Sequence, residues 1–117
     1  MNSISLQTRR NLDYFATRLG VADLVLDEAM SFSLPNHQLH LELRLGRLLL
    51  TTCMAARVDD ERLQWLLQRS HPRHFCGYPG RVFRLRQGTA VNSVTADDAS
   101  ADLWWRLYRA QYHFLSQ

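Results

Sequence analysis

The 117-residue sequence contains no lysine, so all fourteen of its basic residues are arginine. It has only two cysteines, three prolines and five glycines. Cys53 and Cys76 allow at most one bridge, which excludes a disulfide framework and fits a reducing compartment. The few glycines form no phosphate-cradling loop and no nucleophile elbow. No stretch approaches the length needed to span a bilayer, and the segment from Met1 to Asn11 is polar, without the apolar centre of a signal peptide. These absences favour a soluble cytoplasmic protein. No low-complexity tract, repeat or linker interrupts the chain, so it reads as one domain over residues 1–117.

What is present is an ordinary globular balance, with 46% hydrophobic and 21% charged residues. The formal charge is +3 and the pI near 9.3, but the arginines are spread along the chain instead of forming a run. Only Arg81, Arg84 and Arg86 make a local basic group. With Tyr78 and Phe83 they suggest the main alternative reading, a nucleic-acid hairpin that pairs phosphate contacts with base stacking.

Hydrophobic spacing orders the elements. Leu12, Phe15, Ala16 and Leu19 recur at three and four, predicting a helix from Leu6 to Leu19 that Gly20 ends, with extended chain following over Val21 to Leu26. Met30, Phe32 and Leu34 alternate with small residues and predict a strand closed by a Pro35-Asn36 turn. Leu39, Leu41, Leu43 and Leu45 predict a second strand with its leucines facing a core. Gly46-Arg47 can reverse the chain into Leu48 to Ala55, apolar enough for a buried third strand, although periodicity alone leaves a helix open there. Asp59 or Asp60 caps a middle helix through Leu63, Leu66 and Leu67. His74 to Tyr78 and Arg81 to Leu85, around Pro79-Gly80, predict a short hairpin, which Thr89 to Val94 extends. Asp97, Asp98 and Ser100 offer caps for a last helix carrying Leu103, Trp104, Leu107, Tyr108, Phe114 and Leu115. The expected fold class is α+β, in the order helix, three-strand antiparallel meander, helix, β-hairpin, helix.

Chemistry finds little support. Cys53 with His71 or His74 as base is the one nucleophile arrangement to weigh, but a cysteine inside an apolar strand behaves as a small hydrophobe. His71, His74, Cys76 and the distant Cys53 lack the paired spacing of a zinc site. The expectation is no enzyme, no metal and no cofactor.

Phe15-Ala16-Thr17-Arg18-Leu19-Gly20, then Leu24-Val25-Leu26-Asp27-Glu28, then the leucine-rich hairpin from Leu39 to Leu50 resemble the class I chaperones of type III secretion systems. The similarity extends in pattern over nearly the whole chain. Members are often acidic whereas this chain is basic, which bears on the cargo it would prefer. The resemblance implies a cytoplasmic bacterial protein, dimeric with itself or with a related chaperone. It would hold an unfolded N-terminal segment of a secreted effector or regulator. Cargo would meet Leu12, Phe15, Met30, Phe32 and Leu34, partly by adding a strand to an exposed sheet edge. The dimer would form on the middle helix through Leu63, Trp65, Leu66 and Leu67.

Overall fold

Ser5 starts the first helix by accepting the Thr8 N–H on its side-chain oxygen at 3.1 Å. This helix, α1 (Leu6–Leu19), ends where Gly20 turns left-handed at φ +83°. The computed structural model describes residues 4–21 and 24–117. Ala22 and Asp23, part of the expected extended passage, lie outside them. Three strands follow, β1 (Ala29–Leu34), β2 (His37–Arg44) and β3 (Arg47–Met54). The middle helix α2 (Asp60–Arg69) is capped by Asp59, whose carboxylate accepts the Arg62 N–H at 2.8 Å. Then come β4 (Arg81–Leu85), β5 (Gly88–Ala96) and α3 (Ala101–Leu115), which Ser100 caps.

The sheet order is β1-β2-β3-β5-β4, antiparallel throughout. The five-stranded α+β architecture matches the expected order, with one local difference. His74 to Tyr78 is not a strand. Pro72–Phe75 form a 3₁₀ turn, closed by Cys76 and Gly77 at positive φ, which drives Phe75 into the core. A side chain at Gly80 would collide with the Phe75 ring. The true hairpin joins β4 to β5, and β5 is a full strand inserted between β3 and β4. Gly88 admits that insertion, since a Cβ there would strike the Met54 carbonyl.

Side chains alternate across a sheet, and here the two faces are unlike. Met30, Phe32, Leu39, Leu41, Leu48, Leu50 and Val91 all point to the helices and are at most 7% exposed. The opposite face carries no helix, and Phe83, Leu85 and Val94 stand exposed on it. Leu45 was expected to face the core with the other leucines of its strand. Instead it forms the turn with Gly46 and is 89% exposed, because the chain leaves the pleat before it.

Buried polar groups fix α3 on the sheet. Trp104 Nε1 donates to Thr95 Oγ1 at 3.0 Å. Gln111, fully buried, donates to the Leu50 carbonyl and accepts from Thr52 Oγ1. Because the Pro35 carbonyl can only accept, His37 carries its proton on Nδ1 and donates it there at 2.7 Å. Its Nε2 then accepts the Tyr108 hydroxyl at 2.6 Å. Burial raises the Tyr108 pKa, consistent with a phenol that keeps its proton. α1 rests on α3 through Phe15, edge-on to Trp104, Trp105 and Tyr108. Thr8 and Asn11 tie it to the Asp97 and Ala99 carbonyls.

Replacing Gln111 with Leu should lower stability by about 1–3 kcal/mol, because it leaves the Thr52 hydroxyl buried without its acceptor. Chemical denaturation measures this, and an unchanged midpoint would mean that the clasp contributes nothing.

Candidate protein-binding surface

An edge strand presents unpaired backbone groups, and β1 is one edge of this sheet. The Leu43 N–H donates to the Glu28 carbonyl at 2.7 Å, so Glu28 and Leu43 form a hydrogen-bonded pair. Such pairs alternate along an antiparallel ladder. Met30, Phe32 and Leu34 therefore bond to β2, while the N–H and C=O groups of Ala29, Ser31 and Ser33 point out of the sheet. Beside them lies an open groove of 390 Å³ lined by Val21, Leu24, Val25, Asp27 and the first residues of β1. Val25 is 81% exposed.

The expected cargo side chains are placed differently from that edge. Leu12, Phe15, Met30 and Phe32 are buried in the core at 7% exposure or less, and only Leu34 is half-buried. The correction has a simple cause. Their regular period aims them at the helix–sheet interface, so in this subunit they support the edge instead of forming its surface. The apolar surface at the edge comes from Val25, which sequence spacing alone did not single out.

On α2 the four expected interface residues also divide. Leu66 is 1% exposed and belongs to the core, Leu63 is half-buried, and Leu67 is 46% exposed. Trp65 is half-buried and flanked by two guanidinium groups, with Arg62 at 4.2 Å and Arg69 at 4.6 Å from its ring. The ring is therefore less available to a partner than its position off the leucine stripe implied.

The arginine group of the nucleic-acid reading does not assemble. Arg84 lies on the helix side of β4, where it pairs with Asp60 at 2.7 Å and reaches the Val58 carbonyl. Arg81 shares the open face with Phe83 instead.

Nor do the sulfur and imidazole groups form a reactive centre. Burial raises the Cys53 thiol pKa, the wrong direction for a nucleophile. The His71 ring accepts the Arg73 N–H, and His74 packs on Phe114. Among the described residues, no group of three or more His, Cys, Asp or Glu is placed to hold a metal ion. No helix among them is long and apolar enough to cross a membrane.

A helix, a meander, a middle helix, a hairpin and a last helix around a one-sided sheet define a type III secretion chaperone fold. A chain in the structure of the HopA1-SchA chaperone–effector complex has the same fold, at a TM-score of 0.69 over 97% of this chain and 96% of that one, with 17% identity. This chain belongs to the SsaM family, whose model matches residues 5–117. A relative from Salmonella typhimurium strain LT2, the secretion system apparatus protein SsaM, is 32% identical over 111 residues, covering 94% of this chain and 91% of the relative. Family and fold are those of a non-enzymatic protein.

The two thiols should differ in reactivity. At pH 7.5 exposed Cys76 should be alkylated by iodoacetamide at least about tenfold faster than Cys53. Peptide mass mapping over time reads the ratio, and equal rates would contradict the burial assigned to Cys53.

Proposed function

We propose that this protein works in the bacterial cytoplasm as a stoichiometric binder, holding an extended segment of a secreted effector or regulator along the free edge of β1. The observation that carries the reading is the outward row of backbone groups at Ala29, Ser31 and Ser33 beside the apolar groove. An added strand gains its affinity from those hydrogen bonds and its selectivity from alternate side chains reaching Val21, Leu24 and Val25. Release requires no bond to be made or broken. Similarity to a secretion system apparatus protein and to a chain of a chaperone–effector complex supports a role in secretion. Either an effector or a regulator of export fits that edge.

The test is a proline. Ser31→Pro removes an outward N–H and leaves the backbone bonds to β2 intact, as proline on an edge strand can, while Ser31→Ala controls for the lost bond between the Ser31 hydroxyl and His40. It should weaken co-purification with the secreted protein encoded beside this gene by at least about tenfold, the scale of one lost hydrogen bond plus steric exclusion. Undiminished recovery of that protein would place its binding elsewhere.

The proposal includes self-association through α2, where Leu67 is the exposed apolar contact and Trp65 contributes its uncovered edge. Leu67→Asp should convert a dimer to a monomer in light scattering while circular dichroism still reports a folded chain, with a lower melting temperature because the partner no longer stabilises it. Leu66→Asp is unsuitable, since it would place a charge in the core. A wild-type monomer at tens of micromolar, or a variant that stays dimeric, would remove α2 from the interface.

A further inference from the structure

The second free edge is not simply β4. That strand pairs only with Gly88–Asn92 of β5, while β5 runs on to Ala96. From Ser93 to Ala96, β5 is bonded to β3 on one side and, among the described residues, has no neighbouring strand on the other. The Asp97 N–H donates to the Gly46 carbonyl, so Asp97 faces β3, and by alternation Thr95 and Ser93 do as well. Val94 and Ala96 therefore face outward. The Ala96 carbonyl is used by the Ala99 N–H and the Thr95 hydroxyl. Both backbone groups of Val94 and the N–H of Ala96 have no partner among the described residues.

This stretch lies in a groove of 570 Å³, with Leu45, Gly46 and Arg47 at one end and Tyr78, Pro79 and Arg81 at the other. Two features of it point outward from the fold. Leu45 stands at φ +52°, followed by Gly46 at +79°, a turn geometry that favours asparagine or aspartate in the first place. A leucine that is both left-handed and 89% exposed is not explained by its own subunit. Arg47 and Arg81 are exposed, make no ion pair among the described residues, and share the open face with Val94. Among the described residues, no acidic side chain lines the groove.

We propose that Ser93–Ala96 is a second strand-accepting site, whose occupant is an extended segment of a partner protein with an apolar centre flanked by acidic residues. The segment continues the line of β4, bonds to Val94 and Ala96, and packs its apolar side chain against Val94 and Leu45. Arg81 pairs with Asn92 of β5 and Arg47 with Ala96. Four steps along β5 separate those positions, about 13 Å of strand; β4 already fills the place opposite Asn92, so a segment opposite Ser93–Ala96 lies between the two arginines, and an acid flanking each of its ends has one of them as its nearest cation. The site goes beyond the β1 reading and stands or fails without it.

The probes are two synthetic peptides titrated into the isotope-labelled full chain, acetyl-Asp-Thr-Val-Thr-Asp-amide, whose central valine shares a strand face with both acids, and its Lys-flanked counterpart, each to about 1 mM, the range of weak peptide affinities. The acidic peptide should shift the amides of Leu45, Val94 and Ala96 saturably, and bind about tenfold more tightly than the lysine version at low salt. Val94→Pro should abolish binding and Ser31→Pro should leave it intact. Leu45→Asn should weaken binding severalfold while raising the melting temperature, since asparagine suits the turn. Should Val94→Pro fail to fold, Arg81→Glu carries the test, because it must erase or reverse the charge preference.

Absent shifts at these amides, shifts confined to β1, or equal affinity for the two peptides would overturn the proposal. Self-association that Val94→Pro suppresses, without binding of either peptide, would also overturn it by making a second copy the occupant.

Discussion

Three buried polar clasps between α3 and the sheet decide where everything else goes. Leucines facing leucines permit an interface to slide by a turn or a residue at little cost. A buried indole N–H, amide or imidazole does not, because each displacement leaves a polar atom unpaired. Trp104 on Thr95, Gln111 on Thr52 and Leu50, and Tyr108 on His37 anchor α3 to β5, β3 and the start of β2. With α3 fixed, its aromatic ridge receives Phe15 and so positions α1. The connection after β5 is then held by Thr8 and Asn11.

All that helical material lies on one side. A sheet covered on one face satisfies its core with half of its side chains and leaves the remainder, together with two edges, facing outward. Natural sheets blunt such edges with charge, short strands or twist. Here β4 is short and Arg81 stands at its start, but β1 presents serines beside an apolar groove and the end of β5 presents valine beside an exposed leucine. Edges so lightly guarded are what the proposed strand additions require.

The core was far more legible in the sequence than the surface. Period two located β1 and β2, an apolar run after the Gly46 turn suggested β3 without excluding a helix, period 3.6 located α1, α2 and α3, and capping candidates that included Asp59 and Ser100 marked two helix starts. The second hairpin was misplaced because Pro79-Gly80 resembles a turn, whereas Gly80 is small to admit the Phe75 ring. The binding roles given to Leu12, Phe15, Met30, Phe32 and Leu66 came from the family resemblance, while their own regular spacing is that of residues a fold consumes. Val25 and Leu45 follow no such pattern, since their exposure arises from where the chain turns. The arginines beside Trp65 were readable in principle, standing three before and four after it on a helix, the positions that meet its ring.

The unlike faces of β3, β5 and β4 have a further consequence for how such a chain can diversify. Neighbouring positions in these strands answer to different demands, one to the helices and the next to whatever lies outside. Changes at Arg81, Phe83, Asn92 or Val94 alter the outward surface one residue at a time, while Val82, Val91 and Ser93 between them stay under the helices. A lineage built on this sheet can remodel its outer surface by single substitutions without relearning how to fold.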